Sequence, residues 1–299
     1  MQPLETTNEG ITQRYAIAVD ALYEIGRTYY ANGRFADAQH LLHTSLQLLE
    51  AREGQPQQRL KLLLIYGQVL AVKHLLTRRD ADLLFATILQ AKQIAEETQD
   101  QQGVADALSL LGQAHYFTTI VAGLKRGEPL DGPRGQGKYE EALAYQQQAL
   151  ELREALRDTR GISESYFQIG VVYERWQQYE QALEYYTKAR QVADQYGHLF
   201  EKTEPARHFA LHALRKGDLD QALPLALQAV SLREAANFKP YLPLDHLLLR
   251  SVYLAKGDEA NAQLHTEIAT ALAEEMGMKS LVSSLPDIRT LMVTQREEA

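Results

Sequence analysis

Residues 163–194, SESYFQIGVVYERWQQYEQALEYYTKARQVAD, restrict what this chain can fold into more than any other stretch. Around Gly170, Tyr166 lies four residues before, and Tyr173, Tyr179, Ala182, Tyr186 and Ala189 lie three, nine, twelve, sixteen and nineteen after. These intervals fall on one face of a helix, are interrupted at Gln177-Gln178, and then resume. Two antiparallel helices follow from that pattern. Gly170 and Ala182 are small where the backbones would come close, and the aromatics would fill the space around that contact.

The pattern recurs. Gly26 has Leu22, Ile25, Tyr29, Phe35, Ala38 and Leu42 at the same offsets, with Asn32-Gly33 as the turn. Gly67 and Gly112 anchor the next two copies, and Ala210 and Arg250 take the anchor position in the last two. Anchors at 26, 67, 112, 170, 210 and 250 give steps of 41, 45, 58, 40 and 40. The long step holds an insertion, 116–138: twenty-four residues separate His115 from Tyr139, where Tyr173 to Tyr179 needs six.

Such agreement of spaced positions resembles the tetratricopeptide repeat, whose usual period is about 34 residues. The longer steps imply longer helices, similar to the extended repeats of kinesin light chains and of the sensor arms of bacterial regulators. The resemblance implies an all-α, right-handed superhelical solenoid of about six helix-turn-helix repeats with a concave inner face. Expected repeats are about 12–53, 57–99, 102–158 with the insertion 116–138, 161–197, 200–237 and 240–277. A disordered lead, 1–11, precedes them, and a capping helix, 279–296, follows. No alternating strand pattern competes.

Composition narrows the function classes. A net charge of −8 argues against nucleic acid as a partner, because phosphate neutralisation needs a basic surface. With no cysteine, disulfides and thiolate metal sites are impossible. The opening MQPLETTNEGITQR is polar and acidic, unlike a secretory leader, and apolar runs such as Leu62–Ile65 are short of a membrane span. A cytoplasmic protein without a membrane partner is expected.

Motifs for chemistry are incomplete. Gly132–Lys138 matches G-x-x-x-x-G-K, but Tyr139 stands where a phosphate loop needs Ser or Thr, and no strand precedes it. A flexible loop or a lid are the other readings of that segment. His208 and His212 lie four apart on one helix, and with His246 they form an alternative metal set. Packing histidines are the simpler reading, so no metal and no cofactor is expected. No catalytic constellation stands out.

In the family that the repeats resemble, the first helix of each pair lines the concave face. Carried onto this chain, the lining offsets select Tyr23, Arg27 and Tyr30, then Gln68, then Gln113 and Tyr116. In the later repeats they select Phe167, Glu174, Arg175, Arg207, His208 and Arg215. The same offsets give Leu64, Ile65, Leu247 and Leu248, which read equally as core. None selects Asn, which the carboxylate clamp for chaperone tails requires. Aromatics and arginines suit a peptide or partner segment, so a protein-interaction scaffold is expected. A receptor for a small acidic molecule, or an unusual enzyme with a pocket closed by the insertion, is the second reading. Homo-oligomerisation through the tail or the Leu-rich sixth repeat is the third.

Overall fold

The computed structural model describes residues 8–50, 56–135 and 137–278. Among these residues there are twelve α-helices and no strand. They run α1 (Asn8–Ala31), α2 (Phe35–Glu50), α3 (Pro56–Thr77), α4 (Ala81–Glu97), α5 (Gln101–Arg126) and α6 (Glu140–Leu156). The second half is α7 (Thr159–Arg175), α8 (Tyr179–Tyr196), α9 (Thr203–Arg215), α10 (Leu219–Ala235), α11 (Leu242–Ala255) and α12 (Glu259–Glu275). Each odd-numbered helix packs against the even-numbered one that follows, and the six pairs stack side by side as a solenoid.

Small residues set the distance within a pair. A Cβ on Gly170 would sit 2.6 Å from Tyr186 Cε1 and 3.3 Å from the Ala182 carbonyl oxygen. Gly112 meets the Gln146 amide and the Ala142 carbonyl oxygen in the same way. The turns are equally local in origin. Gly217 and Gly257 adopt positive φ after α9 and α11. Asp218 and Asp258 then accept from the backbone N–H three residues on, at 3.1 Å in both cases, and start α10 and α12. α10 runs unbroken through Pro224.

Two expectations need adjustment. Residues 8–11, expected in the unstructured lead, form the first turn of α1; Gly10 is buried there, so packing offsets its poor helix propensity. The expected cap, 279–296, lies outside the described residues. Helix α3 is the one helix among the described residues long and apolar enough to cross a membrane. However, 67% of that stretch is buried in the array. It is apolar nearly all round because α1, α2, α4 and α5 all pack on it.

The insertion lengthens α5 to 26 residues and adds a loop, 127–139. That loop is fastened to the end of α7. Gly132 N–H donates to the Arg175 carbonyl oxygen at 3.0 Å, Arg175 pairs with Asp131 at 2.8 Å, and Trp176 Nε1 donates to the Lys138 carbonyl oxygen at 3.0 Å. Lys138 Nζ donates to the Pro129 carbonyl oxygen, so this ammonium serves the loop's own backbone.

The array also closes on itself. Lys239 N–H, in the α10–α11 turn, donates to the Ala31 carbonyl oxygen at 2.8 Å. The Tyr30 and Phe238 rings meet edge-on at 5.2 Å between centroids. A Cβ at Gly33 would overlap the Met276 thioether, so the first turn of the array lies directly on the end of α12.

Candidate functional site

The odd-numbered helices face a shared hollow of about 1060 Å³. All of the sequence-derived candidates except Arg215 border it: Tyr23, Arg27, Tyr30, Gln68, Gln113, Tyr116, Phe167, Glu174, Arg175, Arg207 and His208. Arg215, in the last turn of α9, lies beyond its edge, with its guanidinium over the Tyr179 ring at 4.4 Å and Glu174 Oε1 at 3.4 Å. Leu64, Ile65 and Leu248 border the hollow, whereas Leu247 is core. No described residue of the loop 127–139 borders it; the insertion contributes only Tyr116, Phe117 and Ile120, from α5. The loop therefore belongs to the α5 and α7 ends and forms no lid in this conformation.

One wall is built on Glu174, which is 5% exposed. Its Oε2 accepts from Tyr186 Oη at 2.6 Å and from His208 Nδ1 at 2.8 Å. Burial pushes its pKa up, but His208, Arg215 and Arg175 outweigh burial and hold the carboxyl well below the usual range. Phe167 stacks on Tyr186 and meets His208 edge-on. Next to it, Arg175 Nε donates to Tyr116 Oη at 3.0 Å. In the first repeat, Lys61 lies over the Tyr23 ring at 4.3 Å and pairs with Asp20 at 2.6 Å.

Two buried arginines that the sequence reading missed brace the wall. Arg153, 2% exposed, donates to the Gly161 carbonyl oxygen at 3.1 Å, Ser165 Oγ at 2.8 Å, Asp106 at 3.0 Å and Glu164 at 2.9 Å. Arg233, fully buried, pairs with Asp245 and Glu204. They occupy equivalent places two repeats apart, each reaching from an even helix into the start of the next pair. Burial raises the Glu204 pKa, but Arg207 and Arg233 outweigh it and bring the value to about 2. At Asp245 burial wins over the same two arginines, and the pKa is raised.

Offsets taken from the concave face also overlooked a row one helical turn earlier. Lys61, Asp106, Glu164, Glu204 and Leu244, each six residues before its anchor, border the hollow. Extending the chosen face by one turn would have found them. The alternative metal set does not assemble. His208 bonds to Glu174, His212 packs on Tyr179, and His246 Nδ1 lies 2.9 Å from His265 Nδ1. No cluster of three metal-binding side chains occurs among the described residues.

Residues 134–195 match the sequence pattern of the tetratricopeptide repeat family. That stretch carries the tetratricopeptide repeat, and the remaining helix pairs share its fold. Solved structures with the same fold include a Rap protein complexed with competence and sporulation factor, at TM-score 0.62 and 14% identity over 88% of this chain and 71% of that one. The apo form of RapI gives 0.58 and 15%, over 91% and 87% of the two chains. The Rap conjugation gene regulator of plasmid pLS20, in complex with a peptide, gives 0.61 and 17%, over 91% and 66%. At these identities the likeness is one of fold. None of the curated proteins matches the chain. In this array the hollow is the inner face of the solenoid, and the paired helices supply the walls on which its polar groups are fixed.

Proposed function

We propose that this protein is an interaction scaffold that binds a short peptide, or an extended segment of a partner protein, in the hollow between the odd-numbered helices. One observation carries this reading. A single cavity of about 1060 Å³ runs along the repeats, with aromatic, amide and charged side chains projected into it from rigid helices. Tyr, Phe and Arg anchors on pre-ordered elements are what peptide recognition uses, because little side-chain freedom is lost on binding. One Rap structure of this fold is in complex with a peptide, which supports a peptide as the occupant. The cytoplasmic setting expected from composition is part of this proposal.

The alternative of a small acidic ligand is less well supported. Arg175 pairs with Asp131, Arg207 with Glu204, and Arg153 with Asp106 and Glu164, so an anion would have to displace carboxylates already in place. The enzyme alternative relied on a lid, and no described residue of the insertion loop borders the cavity.

Fluorescence anisotropy with a labelled random hexapeptide pool tests the proposal. The pool is expected to bind the wild type and to lose about tenfold or more in affinity for Gln168→Trp, which fills the hollow. Equal binding to both proteins would contradict it.

A further inference from the structure

We propose that the corner of the hollow where the first repeat meets the α10–α11 turn receives the cationic side chain, arginine or lysine, of the bound peptide. This rests on the peptide reading above and adds the chemistry of the occupant. The corner has two kinds of wall. One is aromatic. Phe238 meets Tyr30 at 5.2 Å, Phe200 at 5.0 Å and Tyr241 at 5.7 Å between ring centroids. All four rings border the hollow. Aromatic faces attract cations; Arg207 and Arg233 already lie over Tyr241, at 5.9 and 5.4 Å, so Tyr30, Phe200 and Phe238 are the rings that would meet an incoming one.

The other wall is acidic. Asp106, Asp158, Glu164, Glu201 and Glu204 border the hollow, and with the fully buried Asp245 behind them they are six carboxylates paired with four guanidiniums, those of Arg153, Arg160, Arg207 and Arg233. All four guanidiniums pair with these acids, although Arg153 Nε and Arg207 Nε are left without a hydrogen-bond partner, and the carboxylates outnumber them. Glu164 and Glu204 act electrostatically on both Tyr30 and Tyr241, which brings the two walls together.

Glu201 points to a missing partner. Its side chain is 8% exposed, and one oxygen pairs with Arg160 at 2.8 Å. The other, Oε2, is buried with no hydrogen-bond partner outside its own residue. Glu201 borders the hollow. Burial raises its pKa against Arg160 and its own backbone amide, and Glu164 and Asp158 add to the rise by like charge. A buried carboxylate in that position gains a charge-assisted hydrogen bond when a guanidinium or ammonium arrives. An arriving carboxylate or phosphate meets repulsion instead.

Two labelled hexapeptide pools decide this, identical except that one position carries arginine in the first and uncharged citrulline in the second. The wild type is expected to bind the arginine pool about tenfold more tightly. Glu201→Gln should remove most of that preference. Glu164→Gln should do the same; Arg153 keeps Asp106, Ser165 Oγ and the Gly161 carbonyl oxygen, and an unchanged melting curve confirms that this variant is folded. Equal binding of the two pools, or a preference that survives both variants, overturns the inference. If Gln168→Trp still abolishes binding of both pools in that case, the peptide reading stands without the cationic corner. If neither pool binds, both fall. Displacement of the arginine pool by free arginine amide as strongly as by unlabelled peptide would assign the corner to a small cation, and so overturn the peptide source.

Discussion

At the scale of residues, the positions that set helix spacing were readable and the buried ions were not. Gly170 and Ala182 stood out because a close approach needs two small residues at fixed intervals, and the Tyr186 ring lies over Gly170. Gly170→Leu must push α7 and α8 apart; overpacking costs about 1–3 kcal/mol, and thermal melting should fall accordingly. Unchanged melting would contradict this contact. Arg153 and Arg233 were missed because an arginine on an outer helix reads as solvated, and only three-dimensional pairing shows otherwise. Arg233→Met leaves the buried Asp245 with only Arg207, at 3.7 Å, and should cost about 3–5 kcal/mol by denaturant titration. Arg233→Met combined with Asp245→Leu should recover much of that loss. His246 gives a pH signature. Burial, with His265 beside it, lowers its pKa to about 4. The folded state therefore binds this proton less tightly than the unfolded state, and stability falls as pH drops from about 6.5 towards 4. His246→Phe should flatten that part of the stability profile, and an unchanged slope would exclude the assignment.

At the scale of elements, helix pairs and their turns were legible because their determinants are local: Gly-Asp turns, small faces and apolar periodicity. The apolar core, however, is divided. The main cluster covers the first four pairs and the end of α12, while a second joins α9, α10 and α11 around Ala210, Leu211, Ala222, Ala226 and Leu248. Between them runs a polar seam, Glu174–His208, Arg160–Glu201, Lys202–Asp194 and Thr159–His198. No periodicity announces such a seam, since its partners are far apart in sequence. Hydrogen exchange should find α9–α11 opening separately from α3–α8, because ion pairs between helices hold less than continuous apolar burial. One common opening free energy across both would contradict a divided core.

At the scale of the whole molecule, the solenoid and its inner face followed from repeat spacing, while closure did not. Closure depends on the small rotation each repeat adds, summed over six pairs, and no residue type records that sum. Because the chain has no cysteine, Ala31→Cys with Lys239→Cys isolates the contact. Oxidation should give a monomeric cross-link that raises the melting temperature, with about 4–5 kcal/mol as the upper range for so long a loop. The use of the inner face is best tested by hydrogen exchange with and without the tightest hexapeptide recovered from the pool. Added protection should concentrate in α1, α5, α7 and α9, with little in α2, α6, α8 and α10. Protection confined to the even-numbered helices, or none, would contradict binding in the hollow.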